Sequence, residues 1–284
     1  MKATVEKIVG LIRETSSSLP GDVVKALKAA QRKESKGSSA AVVLKTILDN
    51  CAIAAKRGTP LCQDTGTLTF FVDERLRRKV TESVIKKAVA IATEKGYLRK
   101  NTIDSITGKS YDDNCAERAP VIHYVDQGSG IRDRGSEKTV TLILKGGGSE
   151  NMSRQYSLPD AALGAGRDLE GVRKCVLDAV QKIQGYGCAP GILGVCVGGD
   201  RATGYEVAKE QLLRPLDERG LGGLGSLEKR LLREANELGI GPMGLGGKTT
   251  LLGVKIAARP RVPASFFVTI AYMCWACRRR TVEI

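Results

Sequence analysis

An α+β fold is predicted by the order in which helical and strand patterns follow one another along the chain. Helical patterns fill about residues 1–58. Strands and helices then mix without the strict alternation of a doubly wound sheet, and no segment repeats at a fixed period. We therefore expect one domain over residues 1–284, with a helical segment to about residue 58 and a mixed sheet with packed helices beyond it.

Three helices are predicted in the N-terminal segment. Residues 4–15 form the first, and the turn Leu19–Asp22 ends it and supplies Asp22 to cap a second helix that runs to about Arg32. The third runs from about Ala40 to Lys56, because its apolar residues recur on one stripe. Gly58 follows at the position that commonly terminates a helix.

The remaining elements are predicted from apolar periodicity and from turn residues. The expected helices are Val80–Lys95, Asp168–Gln184, Ala202–Leu213 and Ser226–Leu238. The expected strands are Leu68–Val72, Pro120–Asp126, Lys138–Leu144, Gly191–Val197, Thr250–Ile256 and Phe266–Met273. Residues 98–119 are expected to form a long ordered loop. The glycine runs Gly220–Gly225 and Gly239–Gly244 are expected to be loops, because neither follows a strand and opens a helix.

Composition narrows the class of protein. Hydrophobic residues make up 42% and charged residues 27% of the 284 residues, which are globular values. The apolar runs are too short for a membrane helix, and the start lacks the apolar core of a secretory signal. Eight cysteines are too few for a disulfide scaffold, so we expect a reducing, cytoplasmic setting with some cysteines on metal. The single histidine disfavours zinc sites rich in histidine and histidine-based triads.

The net charge of +14 suggests an anionic partner. Nucleic acid, an acidic protein and small carboxylates drawn to a basic cleft all fit that charge. Aromatic residues are only 4% of the chain, which disfavours binding of single strands by base stacking. No nucleic-acid-binding motif accompanies the charge, so a basic nucleic-acid-binding module is a distant alternative.

The segment Thr59–Thr67 carries the most specific chemical pattern. It sets Cys62 two residues from Asp64, inside a turn made by Pro60 and Gly66, just before an apolar strand. A thiolate and a carboxylate at the edge of a strand can serve as a metal ligand beside an acid or base.

Two further cysteines lie at junctions between a strand and a loop. Cys188 lies in the glycine-rich turn Gly185–Gly191, and Cys274 ends an apolar strand. Three thiolates are one short of the usual four-cysteine shell of an iron–sulfur cluster, and such a shortage leaves one iron open as a Lewis acid. Cys51, Cys175 and Cys196 lie in apolar patterns and are expected in the core, whereas Cys115 is not assigned.

The run Pro60–Thr67 resembles the first cluster motif of the class I, iron–sulfur fumarases and of the L-tartrate dehydratases. Many of these enzymes are split into α and β subunits, and the resemblance extends over nearly the whole chain, as for an α subunit. It implies a hydro-lyase that hydrates fumarate to L-malate reversibly. In this family three cysteines hold a [4Fe-4S] cluster, and the matching positions here are Cys62, Cys188 and Cys274.

The resemblance also assigns roles to other residues. Asp64 matches the family position for proton transfer, and Gln63 matches one that contacts substrate. Arg99, in the run Tyr97–Asn101, matches a substrate-binding arginine, whose fork suits a carboxylate. Gly146 and Gly147, in a stretch that lines the family's substrate pocket, are candidates for carboxylate contact through backbone amides.

The chain departs from the family near its third cysteine. Many members carry a histidine about a dozen residues upstream, where it assists the aspartate, and Val262 stands there in this chain. Three readings therefore stay open, namely a fumarase α subunit, a tartrate dehydratase α subunit and a non-catalytic paralogue.

The family's remaining substrate residues belong to the β subunit or to the C-terminal half, which this chain does not include. We therefore expect activity to need a β subunit, and we expect a higher oligomer that binds neither a membrane nor nucleic acid.

Overall fold

The computed structural model describes residues 2–126, 138–218, 220 and 222–284. Its α-helices are α1 (Lys2–Ser17), α2 (Gly21–Lys33), α3 (Ser39–Arg57), α4 (Glu82–Glu94), α5 (Gly147–Asn151), α6 (Leu169–Ile183), α7 (Arg201–Gln211) and α8 (Gly222–Glu237). Its strands are β1 (Thr67–Asp73), β2 (Thr102–Ile103), β3 (Ser110–Tyr111), β4 (Val121–Val125), β5 (Thr139–Lys145), β6 (Arg154–Ser157), β7 (Gly191–Gly198), β8 (Leu251–Arg259), β9 (Phe267–Met273) and β10 (Arg278–Glu283). None of the helices described is long and apolar enough to cross a membrane. The predicted α+β class is confirmed.

The chain divides into two compact units, each assembled from separated stretches of sequence. Unit 1 comprises Met1–Pro20, Asp49–Gly147 and Ala276–Ile284, and unit 2 comprises Gly21–Leu48 and Gly148–Trp275. Each unit has a four-stranded mixed sheet and its own apolar core. The prediction that residues 1–284 form one domain, with a division near residue 58, stays a prediction.

Unit 1 is built on the sheet β10–β5–β1–β4, in which β1 pairs parallel with β4 and antiparallel with β5. Helices α1 and α4 pack against each other, and α1 also packs on β5 and β10. The core brings Ile8 and Ile12 of α1 together with Ile85 of α4 and with Phe70 and Leu142 of the sheet. This packing holds β1 in place, and the candidate loop around Cys62 leads directly into β1.

Unit 2 is built on the sheet β6–β9–β7–β8, in which β7 pairs parallel with β8 and antiparallel with β9. Every residue of β7 is buried, as its uninterrupted apolar sequence predicts for a central strand. Helix α7 packs on β7 and β9, α8 packs on β8, and α6 packs on α8 and β9. The turn that carries Cys188 connects α6 to β7, and Cys274 directly follows β9.

The two sheets share one pairing pattern. Each sheet also contains an edge strand that follows, in sequence, a strand of the other sheet. In each sheet a central strand has one parallel and one antiparallel neighbour, and the edge strand beyond is antiparallel. The edge strand β6 of unit 2 comes after β5 of unit 1, and the edge strand β10 of unit 1 comes after β9 of unit 2. The chain therefore changes unit after Gly147 and again after Trp275.

Several elements differ from the sequence predictions. Strands β6 and β10 and helix α5 were not predicted, and the predicted loop 98–119 contains the short hairpin β2–β3. The prediction that the run Gly220–Gly225 is a loop is wrong in part, because α8 begins at Gly222; Leu221 lies outside the described residues. Glycine disfavours helices intrinsically, so packing of the later residues of α8 outweighs its propensity here.

Candidate active site

The Cys62 loop, defined here as Leu61–Gly66, is anchored at its start by a buried leucine. The Leu61 side chain is buried, and its backbone amide donates to the carbonyl of Ser16 at the end of α1 (2.8 Å). The Leu61 carbonyl accepts a hydrogen bond from Asn50 Nδ2 in α3 at 3.1 Å. Cys62 follows, half-buried, with its Sγ 3.7 Å from Oε1 of the exposed Gln63. The loop is therefore fixed to helices while its thiol and amide stay accessible.

Arg99 is bound to the same loop by its backbone and by its side chain. Its amide donates to Oγ1 of the buried Thr65 (2.9 Å), and its Nη1 donates to the Gln63 carbonyl (3.2 Å). The Arg99 carbonyl accepts from Nδ2 of Asn114 at 2.8 Å. The structure thus brings together two of the candidate site residues, Arg99 and Gln63, and leaves the guanidinium exposed.

Asn114 was not predicted as a site residue, although it organises this region. It is 1% exposed, has a φ of 60°, and accepts at Oδ1 from the amides of Asn101 and Thr102. Its Nδ2 also donates to Oγ1 of Thr93. Asparagine adopts positive φ more readily than most residues, so this position suits it. It fixes the segment that carries Arg99 onto α4.

Asp64 lies against the glycines that end β5. A β-carbon added to Gly146 would stand 2.9 Å from Asp64 Oδ2, and one added to Gly147 would stand 3.8 Å from it. Gly66, with a φ of 74°, approaches the Lys145 carbonyl so closely that any side chain there would overlap it. The absence of side chains therefore lets the carboxylate rest on the backbone of the β5 end. The structure thus brings together three of the candidate site residues, Asp64, Gly146 and Gly147, whose roles stay predictions.

Arg278, at the start of β10, contacts the Cys62 loop through its side chain. It is 1% exposed, and its Nη2 donates to the Asp64 carbonyl at 2.8 Å. Its Nε has no hydrogen-bond partner among the described residues. Sequence analysis did not assign a role to Arg278, and its contact with Asp64 depends on strand β10, which was not predicted.

A cavity of about 330 Å³ opens beside the Cys62 loop within unit 1. Gly66 and Gly147 line one part of it, and Asn101, Asn114 and Arg118 line another. Its lining carries amides and a cation, which are groups that bind carboxylates.

In unit 2, Cys188 lies in an exposed turn that its glycines make possible. The Cys188 turn, defined as Gly185–Gly191, has Cys188 at a φ of 54° with its amide donating to the Gly185 carbonyl (3.1 Å). The turn packs on the glycine-rich segment before β8, where the Met243 amide donates to the Ala189 carbonyl (2.9 Å). This packing presents the Cys188 thiol to the exterior of the unit.

In unit 2, a backbone hydrogen bond connects the segment that carries Cys274 to the segment that carries Cys188. The amide of Trp275 donates to the Cys188 carbonyl at 3.3 Å, and the Cys274 amide donates to Oγ of the buried Ser149 at 3.2 Å. The structure therefore joins two of the three predicted cluster ligands. Cys62 belongs to unit 1, so the convergence of all three sulfurs stays a prediction.

Tyr272, which was not predicted as a site residue, packs against two glycines of the Cys188 turn. Its ring occupies the space that side chains at Gly187 and Gly191 would fill, so both positions require glycine. Burial raises the pKa of Tyr272, and the nearby charges of Cys274 and Cys188 raise it further. A pair of glycines flanking a cysteine at a spacing of four was the sequence signal for this close approach.

Four of the other five cysteines have thiols whose pKa is raised by burial. Burial raises the pKa of the Cys51 and Cys196 thiols to about 11 and that of Cys175 to about 12. Cys115, which the sequence left unassigned, also has a pKa raised by burial to about 11, and its thiol donates to the Lys86 carbonyl. All four favour the neutral thiol, whereas a metal ligand is a thiolate. The prediction that Cys51, Cys175 and Cys196 are buried is confirmed.

The donor set suits an iron–sulfur cluster in its chemistry. Three exposed or partly exposed cysteines supply sulfur ligands of the kind such a group needs, and the unpartnered buried hydroxyl of Tyr272 packs against the glycines of the Cys188 turn. Across residues 2–126, 138–218, 220 and 222–284, no group of three or more His, Cys, Asp or Glu side chains is placed to hold a metal ion. The cluster is therefore taken up below as a proposal.

The chain's one histidine and Val262, where the chain departs from the family, are two further residues that bear on the predicted chemistry. His123 lies on β4 and stacks on Phe71, with ring centroids 5.1 Å apart and an interplanar angle of 18°. Val262 is exposed, in the loop between β8 and β9. An exposed valine offers no proton acceptor or donor, so the prediction that this position lacks the family's histidine chemistry is unchanged.

Unit 1 thus sets the Asp64 carboxylate beside the glycines that follow β5 and holds an exposed guanidinium on the Cys62 loop, and unit 2 carries two accessible cysteines on neighbouring segments. Comparison with known proteins identifies the family. A family model described as fumarate hydratase (Fumerase) matches residues 5–283.

Named relatives agree with the family match. A putative fumarate hydratase class I of Geobacillus stearothermophilus is 47% identical over 290 residues, which cover 100% of this chain and 55% of that protein. A putative L(+)-tartrate dehydratase subunit alpha of Methanocaldococcus jannaschii is 35% identical over 287 residues, covering 98% of this chain and 96% of that protein. The L(+)-tartrate dehydratase subunit alpha of Escherichia coli K12 is 30% identical over 274 residues, covering 95% and 86%.

The chain belongs to the fumarate hydratase (Fumerase) family. The predicted family, and the class of hydro-lyases to which its named members belong, are thereby confirmed. The chain spans about half the length of the Geobacillus relative, but nearly the whole length of the two alpha subunits.

Proposed function

We propose that the chain is the α subunit of an iron–sulfur hydro-lyase that interconverts fumarate and L-malate. The observation that carries this proposal is the arrangement of the Cys62 loop. Within unit 1 it sets Cys62, Gln63 and Asp64 beside Arg99, and the Asp64 carboxylate beside Gly146 and Gly147. The 47% identity to a protein named for fumarate hydration supports fumarate as the first substrate to test.

Hydration of fumarate needs a proton on one carbon and a hydroxyl on the other. The carboxyl of Asp64 is proposed to deliver the proton from Oδ2 and to take it back in the reverse reaction. The half-buried position of Asp64, with its carbonyl bound by Arg278, holds that oxygen at one place on the β5 end. Proton delivery from a fixed atom accounts for addition to one face of the double bond.

The two carboxylates of the substrate need cations and amide donors. The exposed guanidinium of Arg99 is proposed to bind one carboxylate by its fork, because Nη1 is already oriented by the Gln63 carbonyl. The Gln63 amide and the exposed backbone at Gly147 are proposed to complete the anion contacts. The cavity of about 330 Å³ that Gly147 helps to line has room for a four-carbon acid.

Cys62, Cys188 and Cys274 are proposed to hold a [4Fe-4S] cluster. When bound, such a cluster supplies a Lewis acid at the iron that lacks a thiolate. The contact of the Trp275 amide with the Cys188 carbonyl supports a shared site for the second and third cysteines. The accessible Cys62 thiol, two residues from Asp64, supports the participation of the first.

A β subunit is the proposed partner. The Geobacillus relative is nearly twice as long as the matched region, whereas the chain spans 96% of a protein named as an alpha subunit. The name of the second protein, a subunit alpha, supports a partner subunit on a separate chain. The further proposals are a heteromeric assembly, a cytoplasmic location and a place in central carboxylate metabolism.

The test is co-expression with a β subunit, anaerobic reconstitution with iron and sulfide, and assays on fumarate, malate and tartrate. We expect about four irons per chain and hydration of fumarate by the pair, with little turnover by the α chain alone. An assembled pair that binds the cluster and leaves fumarate and malate unchanged would contradict the proposed reaction.

L-tartrate dehydration is the second candidate. The coverage of 96% and 86% of two proteins named L(+)-tartrate dehydratase subunit alpha favours it on chain organisation. The same assay distinguishes the two, because tartrate dehydration yields oxaloacetate and fumarate hydration yields malate. A pair that holds the cluster and acts on none of the three acids would instead support the non-catalytic paralogue.

A further inference from the structure

The hydroxyl of Tyr272 is buried and has no hydrogen-bond partner among the described residues. Tyr272 is 2% exposed, and its Oη is one of a few buried polar atoms that lack a partner in that part of the chain. Buried tyrosine hydroxyls are nearly always hydrogen-bonded, because an unpaired polar group in the interior is costly. An orphaned donor therefore points to an acceptor that the polypeptide itself does not supply.

The surroundings of this hydroxyl indicate what the acceptor is. The phenol ring runs between Gly187 and Gly191, the two glycines that flank the Cys188 segment. Tyr272 lies on β9 opposite Leu193 of β7, and Cys274 follows Tyr272 by two residues. Cys188 directly follows Gly187, which the ring contacts, so both proposed cluster ligands of unit 2 are close to Tyr272 along the chain. Sulfur is thus the acceptor chemistry available beside it.

We propose that the Tyr272 hydroxyl donates a hydrogen bond to a sulfur atom of the [4Fe-4S] cluster held by Cys188 and Cys274. The inference rests on the function proposed above, because it requires the cluster. It assigns Tyr272 to the positioning and electronic tuning of the cluster. Ser149 and Ser153 hold the backbone of this strand end through the amides of Cys274 and Tyr272, so the phenol has a fixed direction.

A hydrogen bond to a cluster sulfur has a measurable electronic consequence. Reduction adds negative charge that is shared by the sulfurs, so a donor stabilises the reduced cluster and raises its reduction potential. Tyr272→Phe keeps the ring between the two glycines and removes only the donor. The variant cluster should therefore have a more negative midpoint potential than the parent.

The first measurement uses the full chain without the cluster. Because the hydroxyl then has no partner, Tyr272→Phe should raise the urea concentration at which the chain unfolds. Tyr156→Phe is the matched control in the same unit, because the Tyr156 hydroxyl is bonded to Asp178 at 2.7 Å. Its loss should lower the midpoint. If Tyr272→Phe lowers it as well, the hydroxyl has a partner without the cluster and the proposal is overturned.

The second measurement uses the reconstituted chain under anaerobic conditions. Tyr272→Phe should retain the parent's iron and sulfide content. At the parent's midpoint potential, the ratio of reduced to oxidised cluster should fall about tenfold, a shift of about 59 mV for one electron. Tyr156→Phe should leave this ratio unchanged. A cluster in Tyr272→Phe with the parent's potential overturns this inference alone, whereas a parent chain that assembles no cluster overturns the proposed function together with it.

Discussion

The guanidinium of Arg278 binds the backbone carbonyl of Asp64, with 2.8 Å between Nη2 and the oxygen. Both residues belong to unit 1, and Arg278 is 1% exposed. The contact joins strand β10 to the Cys62 loop, which are far apart in sequence. A buried cation that binds a backbone oxygen fixes the loop without neutralising the carboxylate that the loop carries.

We predict that Arg278→Met lowers kcat about 100-fold, because a displacement of about 1 Å at a reacting group has that cost. KM and iron content should change little, since neither Arg99 nor any cysteine is altered. The free energy of unfolding should change by less than about 1 kcal/mol, because removing a buried charge relieves the cost of desolvation. Steady-state kinetics and urea denaturation measure the two effects.

Arg280→Met is the matched control for this prediction. Arg280 is on the same strand, but its side chain contacts α1 and not Asp64. It forms an ion pair with Glu14 of α1 and donates a hydrogen bond to Ser18, which follows α1. Its kcat should remain within about twofold of the parent. Equal losses of kcat in both variants would show that the strand's charge, not the contact with Asp64, matters.

The fold class was predictable because most elements carry strong local periodicity. Helix α6 shows this, with its apolar stripe and its Asp168 cap, whose Oδ1 accepts from the Gly171 amide at 2.7 Å. Strand β10 was not predictable, since its sequence starts with three arginines and resembles a solvated run. It forms a strand only because β5 offers an edge, so its structure depends on a partner distant in sequence.

The site was predicted in part, for a related reason. Local motifs identified Cys62, Asp64 and the β5 glycines, and the structure brings them together within unit 1. Arg278 and Tyr272 were missed because each acts through a contact distant in sequence. Residues that are close in sequence can be recognised as a motif. A residue that contacts the motif from another strand cannot be recognised in this way, because the sequence around it has no matching pattern.

Gly146 offers a second prediction, because the space for its side chain is taken by the candidate acid. Gly146→Ala should lower kcat about 10-fold or more, since the new methyl would stand 2.9 Å from Asp64 Oδ2 and displace the carboxylate. The chain should still fold, because a carboxylate end can move. Gly148→Ala is the control, as nothing lies within 4 Å of its added carbon. Similar kinetics in the two variants would contradict the contact of Asp64 with the β5 end.

Replacing Gly66 by alanine should destabilise the chain by more than the strain of a positive φ alone would. Gly66 and Gly96 have φ values of 74° and 70°, so alanine strains both. Only Gly66 also meets the Lys145 carbonyl, whereas nothing lies near Gly96. We predict that Gly66→Ala lowers the free energy of unfolding by about 2 kcal/mol more than Gly96→Ala does. Urea denaturation measures the difference, and equal losses would argue against the close approach.

Glu210 on α7 should make stability depend on pH. Burial raises the pKa of Glu210, although Arg259 opposes the shift. The folded state therefore favours the protonated acid, and its stability contribution is full below the usual glutamate pKa of about 4.3 and declines as pH rises through the higher folded pKa. Glu210→Gln should thus stabilise the chain at pH 7.5 and have little effect at pH 4.

The control for this dependence is Glu117→Gln, which changes an exposed loop residue. It should leave the urea midpoint unchanged at both pH values. If Glu210→Gln gave the same gain at pH 4 as at pH 7.5, the gain would come from packing and not from ionisation.

Substituting the candidate cluster cysteines one at a time tests ligands from both units. Cys62→Ser, Cys188→Ser and Cys274→Ser should each remove most of the iron from the reconstituted chain, because a cluster with two thiolates is poorly held. Cys51→Ser is the control, since Cys51 is buried and its pKa is raised by burial to about 11. Iron and sulfide analysis after anaerobic reconstitution measures the retention. Loss of iron from the Cys188 and Cys274 variants but not from Cys62→Ser would mean that unit 2 binds metal without the Cys62 loop. In that case Asp64 could not act beside the cluster, and the proposed hydration of fumarate would fail even though a metal centre was present.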